Sequence, residues 1–259
     1  MQWSKPADHS ALIRGIPSSF ANALVRRGRP MLDPAIARQQ HDEYRARLSE
    51  AGYAIVEIPA DEGCPDCVFI EDTAVIIGSI AVITRPGAPS RRSETPPVAK
   101  ALQPYKTVTS IEPPGTVDGG DIFTMNNTLY VGLSERTNLE GIAQLRPVVA
   151  SQGLRLQVVK VVDTLHLKSA VLPVDGETVV VTPDSVDQLA LGDLRILYED
   201  AAERHRFSGL PMLNGRVLAT ASSPRTNNML TSAGYLLDPI DVSELQAADG
   251  GLTCLSILI

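Results

Sequence analysis

Ile122–Val131 reads Ile-Phe-Thr-Met-Asn-Asn-Thr-Leu-Tyr-Val. Two apolar, β-prone runs, Ile122–Met125 and Leu129–Val131, flank Asn126-Asn127. Asparagine tolerates the left-handed backbone of a two-residue turn, so the stretch predicts a β-hairpin. The pattern recurs: Val171–Val174 and Thr178–Val181 flank Asp175-Gly176, and Met212-Leu213 and Val217–Ala219 flank Asn214-Gly215. Each second strand runs into a polar segment that leads to a helix or loop. A recurrence every roughly 40–50 residues marks repeated supersecondary units, as in a propeller, and about five would fit this chain. Thr73–Ile77 with Ile80–Thr84 supplies another pair, and Val68–Ile70 and Ala54–Ile58 read as further strands. Asp33–Gly52, Ser93–Leu102 and Asn138–Gln152 read as helices, with Pro96 and Pro147 expected to limit the last two. Leu255–Ile259 reads as a final strand that could pair with Ser10–Arg14 and close a ring without free edges. An open mixed sheet with hairpins is the alternative. The breaker-rich segments Pro86–Pro97 and Glu112–Gly120 fall inside the repeat pattern, so 1–259 is read as a single domain.

Composition narrows the function. With 44% hydrophobic residues among 259 and no low-complexity tract, the chain is expected to fold. Its apolar runs, such as Ala74–Ile77 and Ile80–Ile83, are strand-sized and cannot cross a membrane. Met1–Pro6 lacks the character of a signal or transit peptide. The three cysteines, Cys64, Cys67 and Cys254, are too few and odd in number for a disulfide scaffold, and the cytoplasm is the expected compartment. Cys64–Cys67 is a lone CxxC with no second pair for zinc and no strand-then-helix context for redox chemistry. The net charge is −7 and no basic run stands out, which argues against nucleic acid as a partner.

Polar residues gather just ahead of the hairpins. Asp66, Glu71 and Asp72 precede the first and Asp118–Asp121 the second. His166 precedes the third, and Asp249-Gly250-Gly251 leads into Thr253-Cys254 before the last strand. In a ring of repeats, equivalent positions converge on the axis. Each also has an ordinary reading: Cys254 as a small core residue, His166 as a core imidazole, Asp118–Asp121 as a glycine turn, and Glu71-Asp72 as a cap. If they meet, a thiol beside an imidazole supplies a nucleophile and a proton carrier, and Asp118 would orient the ring. Clustered carboxylates require a cation among them, and a guanidinium is their planar, multi-donor complement. Arg91 and Arg136 would suit the carboxylate of an amino-acid substrate.

Six segments in order, Asp66–Asp72, Ile83–Arg92, Val117–Asp121, Val131–Asn138, Leu165–Lys168 and Asp249–Cys254, resemble the dimethylarginine dimethylaminohydrolase family. The likeness runs from about Arg14 to the C-terminus, and around Asp66 and Arg91 it is closest to the animal-type enzymes. It implies a five-bladed α/β-propeller (pentein) of ββαβ repeats, closed by the C-terminal strand, acting on a methylated arginine with no metal or organic cofactor. The resemblance puts the nucleophile on Cys254, the acid/base on His166 and its acidic partner on Asp118. Guanidinium recognition falls on Glu71, Asp72 and Asp249, the α-amine on Asp66, and the carboxylate on Arg91 and Arg136. Leu24 matches a lid residue, and Phe69 and Ala248 line the substrate, although a larger apolar residue is common at the latter place. Cys64 is outside the family pattern. Inhibitory zinc on Cys254 and His166, and a monomer or homodimer, are further expectations. The rival reading is a hydrolase or deiminase acting on arginine or another Nω-substituted arginine, or a non-catalytic binder of arginine-like ligands.

Overall fold

The structure, a computed structural model, describes residues 9–26, 28 and 31–259; Met1–Pro6 lies outside them. From the N-terminus, β1 (Ser10–Arg14) is followed by α1 (Pro34–Glu50) and β2 (Ala54–Ile58), which runs parallel to β1. The next unit is a hairpin of β3 (Ala74–Ile77) and β4 (Ile80–Ile83). Helix α2 (Thr95–Leu102) then leads to β5 (Thr107–Ser110), parallel to β4. The same plan builds β6 (Ile122–Met125), β7 (Thr128–Leu133), α3 (Leu139–Ser151) and β8 (Arg155–Lys160). It recurs with β9 (Val171–Pro173), β10 (Thr178–Val181) and β11 (Arg195–Tyr198), where a 3-10 turn, Gln188–Leu191, replaces the helix. The last full unit is β12 (Gly209–Pro211), β13 (Val217–Thr220), α4 (Pro224–Ser232) and β14 (Leu237–Ile240). Helix α5 (Ser243–Ala247) then leads to β15 (Ser256–Leu258), which pairs antiparallel with β1.

Among the described residues the fold is therefore α/β, with five three-stranded sheets, four built on a ββαβ plan and the β9–β11 unit carrying a 3-10 turn in place of the helix. One unit is split, taking its inner strand from the end of the chain and the rest from its beginning, as the pairing of Ser10–Arg14 with the final strand requires. The inner strands β3, β6, β9, β12 and β15 all line one cavity of about 440 Å³, so the sheets surround a common axis. Among the described residues no helix is long and apolar enough to cross a membrane.

The hairpin reading holds at Asn126 and Asn127, whose φ values of 46° and 59° are the left-handed pair that such a turn needs. Three local expectations change. Val68–Ile70 is no strand; the chain turns there into a 3-10 segment at Ile70–Thr73, with Val68 and Ile70 fully buried. The first arm of the third hairpin lies earlier than Met212-Leu213. Pro211 pairs with Val217, and Met212 donates its N–H to Arg216 O as part of the turn. Pro147 lies inside α3, whereas Pro96 sits in the first turn of α2, where its missing N–H costs nothing.

Helix α1 starts at Asp33, whose side chain accepts from Ala35 N–H, with Pro34 at the first position. Its inner face carries Ala37, His41, Tyr44 and Leu48, and Tyr44 Oη lies 2.8 Å from Ser256 Oγ on β15. His41 is buried and its Nε2 has no partner among the described residues. Burial lowers its pKa from 6.5 to about 4; Asp42 opposes this and Arg45 adds to it. The unfolded chain thus binds the proton more readily, so stability is whole above pH 6.5 and falls as pH drops toward 4. The shift corresponds to about 3 kcal/mol. His41→Leu is expected to remove that loss, raising the melting temperature relative to wild type more at pH 4.5 than at pH 7.5. Equal changes at both pH values would contradict it.

Candidate active site

Four of the inner strands are each entered through a 3-10 turn: Ile70–Thr73 before β3, Gly119–Asp121 before β6, Leu167–Ser169 before β9 and Thr253–Leu255 before β15. The turns gather at one end of the axis and bring Glu71 and Asp72, Asp118, His166 and Cys254 together. Glycine permits the close approach. A Cβ on Gly119 would collide with the Glu71 carbonyl oxygen, and one on Gly120 would lie 2.6 Å from His166 Nδ1.

His166 Nε2 lies 3.0 Å from Asp118 Oδ2 and 3.8 Å from Asp72 Oδ1. Burial works against the imidazolium, but Asp72, the bond to Asp118 and Asp121 outweigh it and raise the pKa to about 9. The ring is thus cationic at neutral pH. Burial, reinforced by the charges of Glu71 and Asp72, pushes the Cys254 thiol up to about 12, although Gly251 N–H donates to its sulfur at 3.3 Å. The free protein therefore holds Cys254 as a neutral thiol.

A cavity of about 180 Å³ opens over these groups. Cys254, His166 and Asp72 line one part, with Asp249 and Ala248 beside them, and Arg136, Arg91, Asp66, Phe69 and Leu24 line the remainder. Two predicted residues do not line it. Asp118 is fully buried behind His166, where it also accepts from Gly87 N–H at 2.8 Å. Glu71 faces the axial cavity and a smaller one behind Cys254, and it is paired with Lys168 and Thr253. The Glu71–Lys168 pair, which closes the axial cavity at this end, was not predicted.

The arginines differ from each other. Arg136 is half-buried at the cavity wall. Arg91 is buried, with Nη1 2.5 Å from Asp72 Oδ2, Nη2 2.8 Å from Glu94 Oε2 and Nη2 2.8 Å from Phe69 O. Burial raises the pKa of Asp72, but the charges of His166 and Arg91 outweigh it and hold the carboxyl at about 2. Over the mouth, Leu24 N–H donates to Asp66 Oδ1 at 2.9 Å and Arg26 N–H to Asp249 Oδ2 at 2.5 Å. Both carboxylates expected to meet cationic groups of a substrate are met here by backbone donors.

Asp121, the second acid of Asp-Gly-Gly-Asp, supports the site without being among the residues expected to meet substrate. It is fully buried and accepts from Leu167 N–H at 2.9 Å and Ser134 Oγ–H at 2.7 Å. It thereby joins the His166 turn to the loop that carries Arg136, and burial raises its pKa to about 6. Cys64 and Cys67 are buried, free thiols outside the cavity. Cys64 Sγ lies 3.3 Å from Ser93 Oγ, and burial pushes Cys67 up to about 11. Ligand atoms of Asp72, Asp118 and His166 lie within 4.8 Å of one another, a grouping that could hold a metal ion.

The model of the arginine deiminase family matches residues 62–208. A Streptomyces coelicolor dimethylarginine dimethylaminohydrolase is 36% identical over 95% of this chain and 95% of its own. The Pseudomonas aeruginosa enzyme of the same name is 34% identical over 95% and 94%. A crystal structure of the Pseudomonas aeruginosa protein, a cysteine-to-serine mutant complexed with citrulline, superposes with a TM-score of 0.91 at 31% identity, covering 96% of this chain and 98% of that one.

Proposed function

The chain belongs to the arginine deiminase family and to its dimethylarginine dimethylaminohydrolases, and from that premise we propose that it hydrolyses Nω-methylated L-arginine to L-citrulline and a methylamine. The observation that carries the reading is one cavity with a thiol and an acid-paired imidazole at one end and Arg136 at the other.

In this reading the substrate guanidinium lies among Asp72, Asp249 and the field of Glu71, its α-amine on Asp66 and its carboxylate on Arg136 and Arg91. Arg91 does this from a position fixed by Asp72 and Glu94. The arriving cation offsets the negative field that keeps Cys254 protonated and so favours its thiolate, the thiol proton passing to solvent. The sulfur then bonds to the guanidinium carbon. The carbon is a weak electrophile, so orientation between fixed carboxylates supplies much of the rate. As the C–N bond breaks, the nitrogen takes a proton from His166 and leaves as the amine. A water then adds its oxygen to the thiouronium carbon and gives a proton to His166. The C–S bond breaks, its electrons return to sulfur, the water's second proton restores the Cys254 thiol, and citrulline leaves.

No cofactor enters these steps. Residues 1–259 act as one catalytic domain, as a monomer or homodimer, in the cytoplasm. Zinc at micromolar concentration is expected to inhibit reversibly by taking His166, Cys254 and the neighbouring carboxylates. Activity unchanged by zinc, measured as citrulline release with and without chelator, would refute this. The reading itself is tested by citrulline release from asymmetric dimethylarginine and from arginine. Turnover of the methylated substrate alone supports it, and turnover of arginine alone assigns a deiminase.

A further inference from the structure

Behind Cys254 and His166 lies a second cavity, of about 60 Å³, room for a few water molecules. It shares Cys254, His166, Asp249 and Gly250 with the substrate cavity, and Ser169, His205 and Gln246 line its far side. Those three also line a third cavity of about 300 Å³, whose wall includes the exposed Arg204 and His205. The third cavity also shares Arg26, Leu165, Asp249 and Gly250 with the substrate cavity, so the three adjoin one another, with the small chamber lying behind Cys254 and His166. The wall is held in place. Glu199, buried, accepts the N–H groups of His205, Arg206 and Phe207, each at 2.9 Å. Gln246 donates to Arg206 O at 2.7 Å and accepts from Ser222 Oγ–H at 2.7 Å. His205 adopts a φ of 62°, a conformation that is uncommon outside glycine and concentrates at functional sites.

The chemistry gives this chamber a task. A guanidinium whose carbon meets Cys254, and whose amino-acid end fills the substrate cavity, directs its substituted nitrogen onward past His166. The segment whose Leu24 and Arg26 N–H groups are tied to Asp66 and Asp249 covers the substrate cavity, and Arg26 borders the third cavity as well. We propose that the chamber is the seat of the Nω-substituent, and that the passage past Ser169, His205 and Gln246 is the route by which the amine leaves and the hydrolytic water enters. The amine departs carrying the proton from His166. The water that replaces it returns a proton to His166 and its oxygen to the carbon, while the C–S electrons return to Cys254. His205 thereby sets the size of substituent accepted.

This inference rests on the methylarginine reading, and its test separates the two. Wild type and His205→Gly are compared on asymmetric dimethylarginine and on Nω-propyl-arginine; glycine keeps the left-handed backbone. The expected result is a rise of tenfold or more in the ratio of kcat/KM for the propyl over the dimethyl substrate. A loss of fold or of general activity would lower both values and leave the ratio unmoved. A ratio within twofold of wild type, in a variant that keeps its fold and its dimethylarginine turnover, overturns the passage while dimethylarginine turnover by wild type upholds the function. No turnover by wild type overturns both. As a second measurement, His205→Trp is expected to slow dimethylarginine turnover at least tenfold with a Cys254 adduct accumulating in quenched mass spectra. Its citrulline inhibition constant should stay within twofold.

Discussion

Cys254→Ser is expected to lower citrulline release from dimethylarginine by about 10⁴-fold or more, with the substrate dissociation constant changed only severalfold. The change replaces one atom in the middle of the 3-10 turn Thr253–Leu255. Gly251 N–H still finds an acceptor, and the Glu71–Lys168 pair is untouched. What is lost is the thiolate. Half-buried among carboxylates, even the thiol is held at about 12, and a serine hydroxyl in the same field starts much further from ionisation. A bound guanidinium can tip the first of these but not the second. Rate and binding therefore separate, and citrulline assay beside calorimetric titration measures both. Retention of more than one per cent of wild-type kcat would remove Cys254 from its assigned role.

His166→Gln is expected to cost about 10³-fold in kcat and to change the pH dependence of stability. The pKa of about 9 lies above the reference 6.5 because Asp72, Asp118 and Asp121 together overcome the cost of burial. The folded state thus binds the proton more tightly than the unfolded chain. The imidazolium contributes about 3 kcal/mol, fully present below pH 6.5 and lost as pH rises through 9. Wild type should therefore exceed the variant in melting temperature at pH 6, and the gap should close by pH 9.5. Turnover in wild type should decline over the same upper range as the general acid deprotonates. A stability gap independent of pH would mean that His166 is neutral in the folded protein.

The turns were legible because their chemistry is local. Asn126-Asn127, Asp175-Gly176 and Asn214-Gly215 each declare a hairpin within a few residues, and their recurrence exposes the repeat. The residues standing just before the inner strands were legible for the same reason, once the repeat was seen. Val68–Ile70 misled because burial and β-branching are shared by strands and by a buried turn; the difference lies in backbone direction, which Arg91 helps to fix through Phe69 O. Glu71 with Lys168, and Arg91 with Glu94 and Asp72, could not be read at all. Lys168 reaches Glu71 from another unit, and Arg91 turns back within its own unit onto Glu94 and Asp72, whereas side-chain type and the family resemblance assigned Arg91 and Glu71 directly to the substrate. Asp121 carried one signal, its place as the second acid of Asp-Gly-Gly-Asp, but its task is set by a loop contact with Ser134.

The split unit has a consequence for how the protein comes into being. Ile13 is joined in the sheet to Ser256, two residues beyond Cys254, the proposed nucleophile. At ordinary elongation rates the ribosome takes on the order of ten to fifty seconds to travel between them. Throughout that interval β1 has an unfilled edge, and the acids around Asp72 and Asp118 have no thiol to act with. The nascent chain is thus chemically silent until its final strand emerges, and arming the cysteine and sealing the exposed edge become a single event.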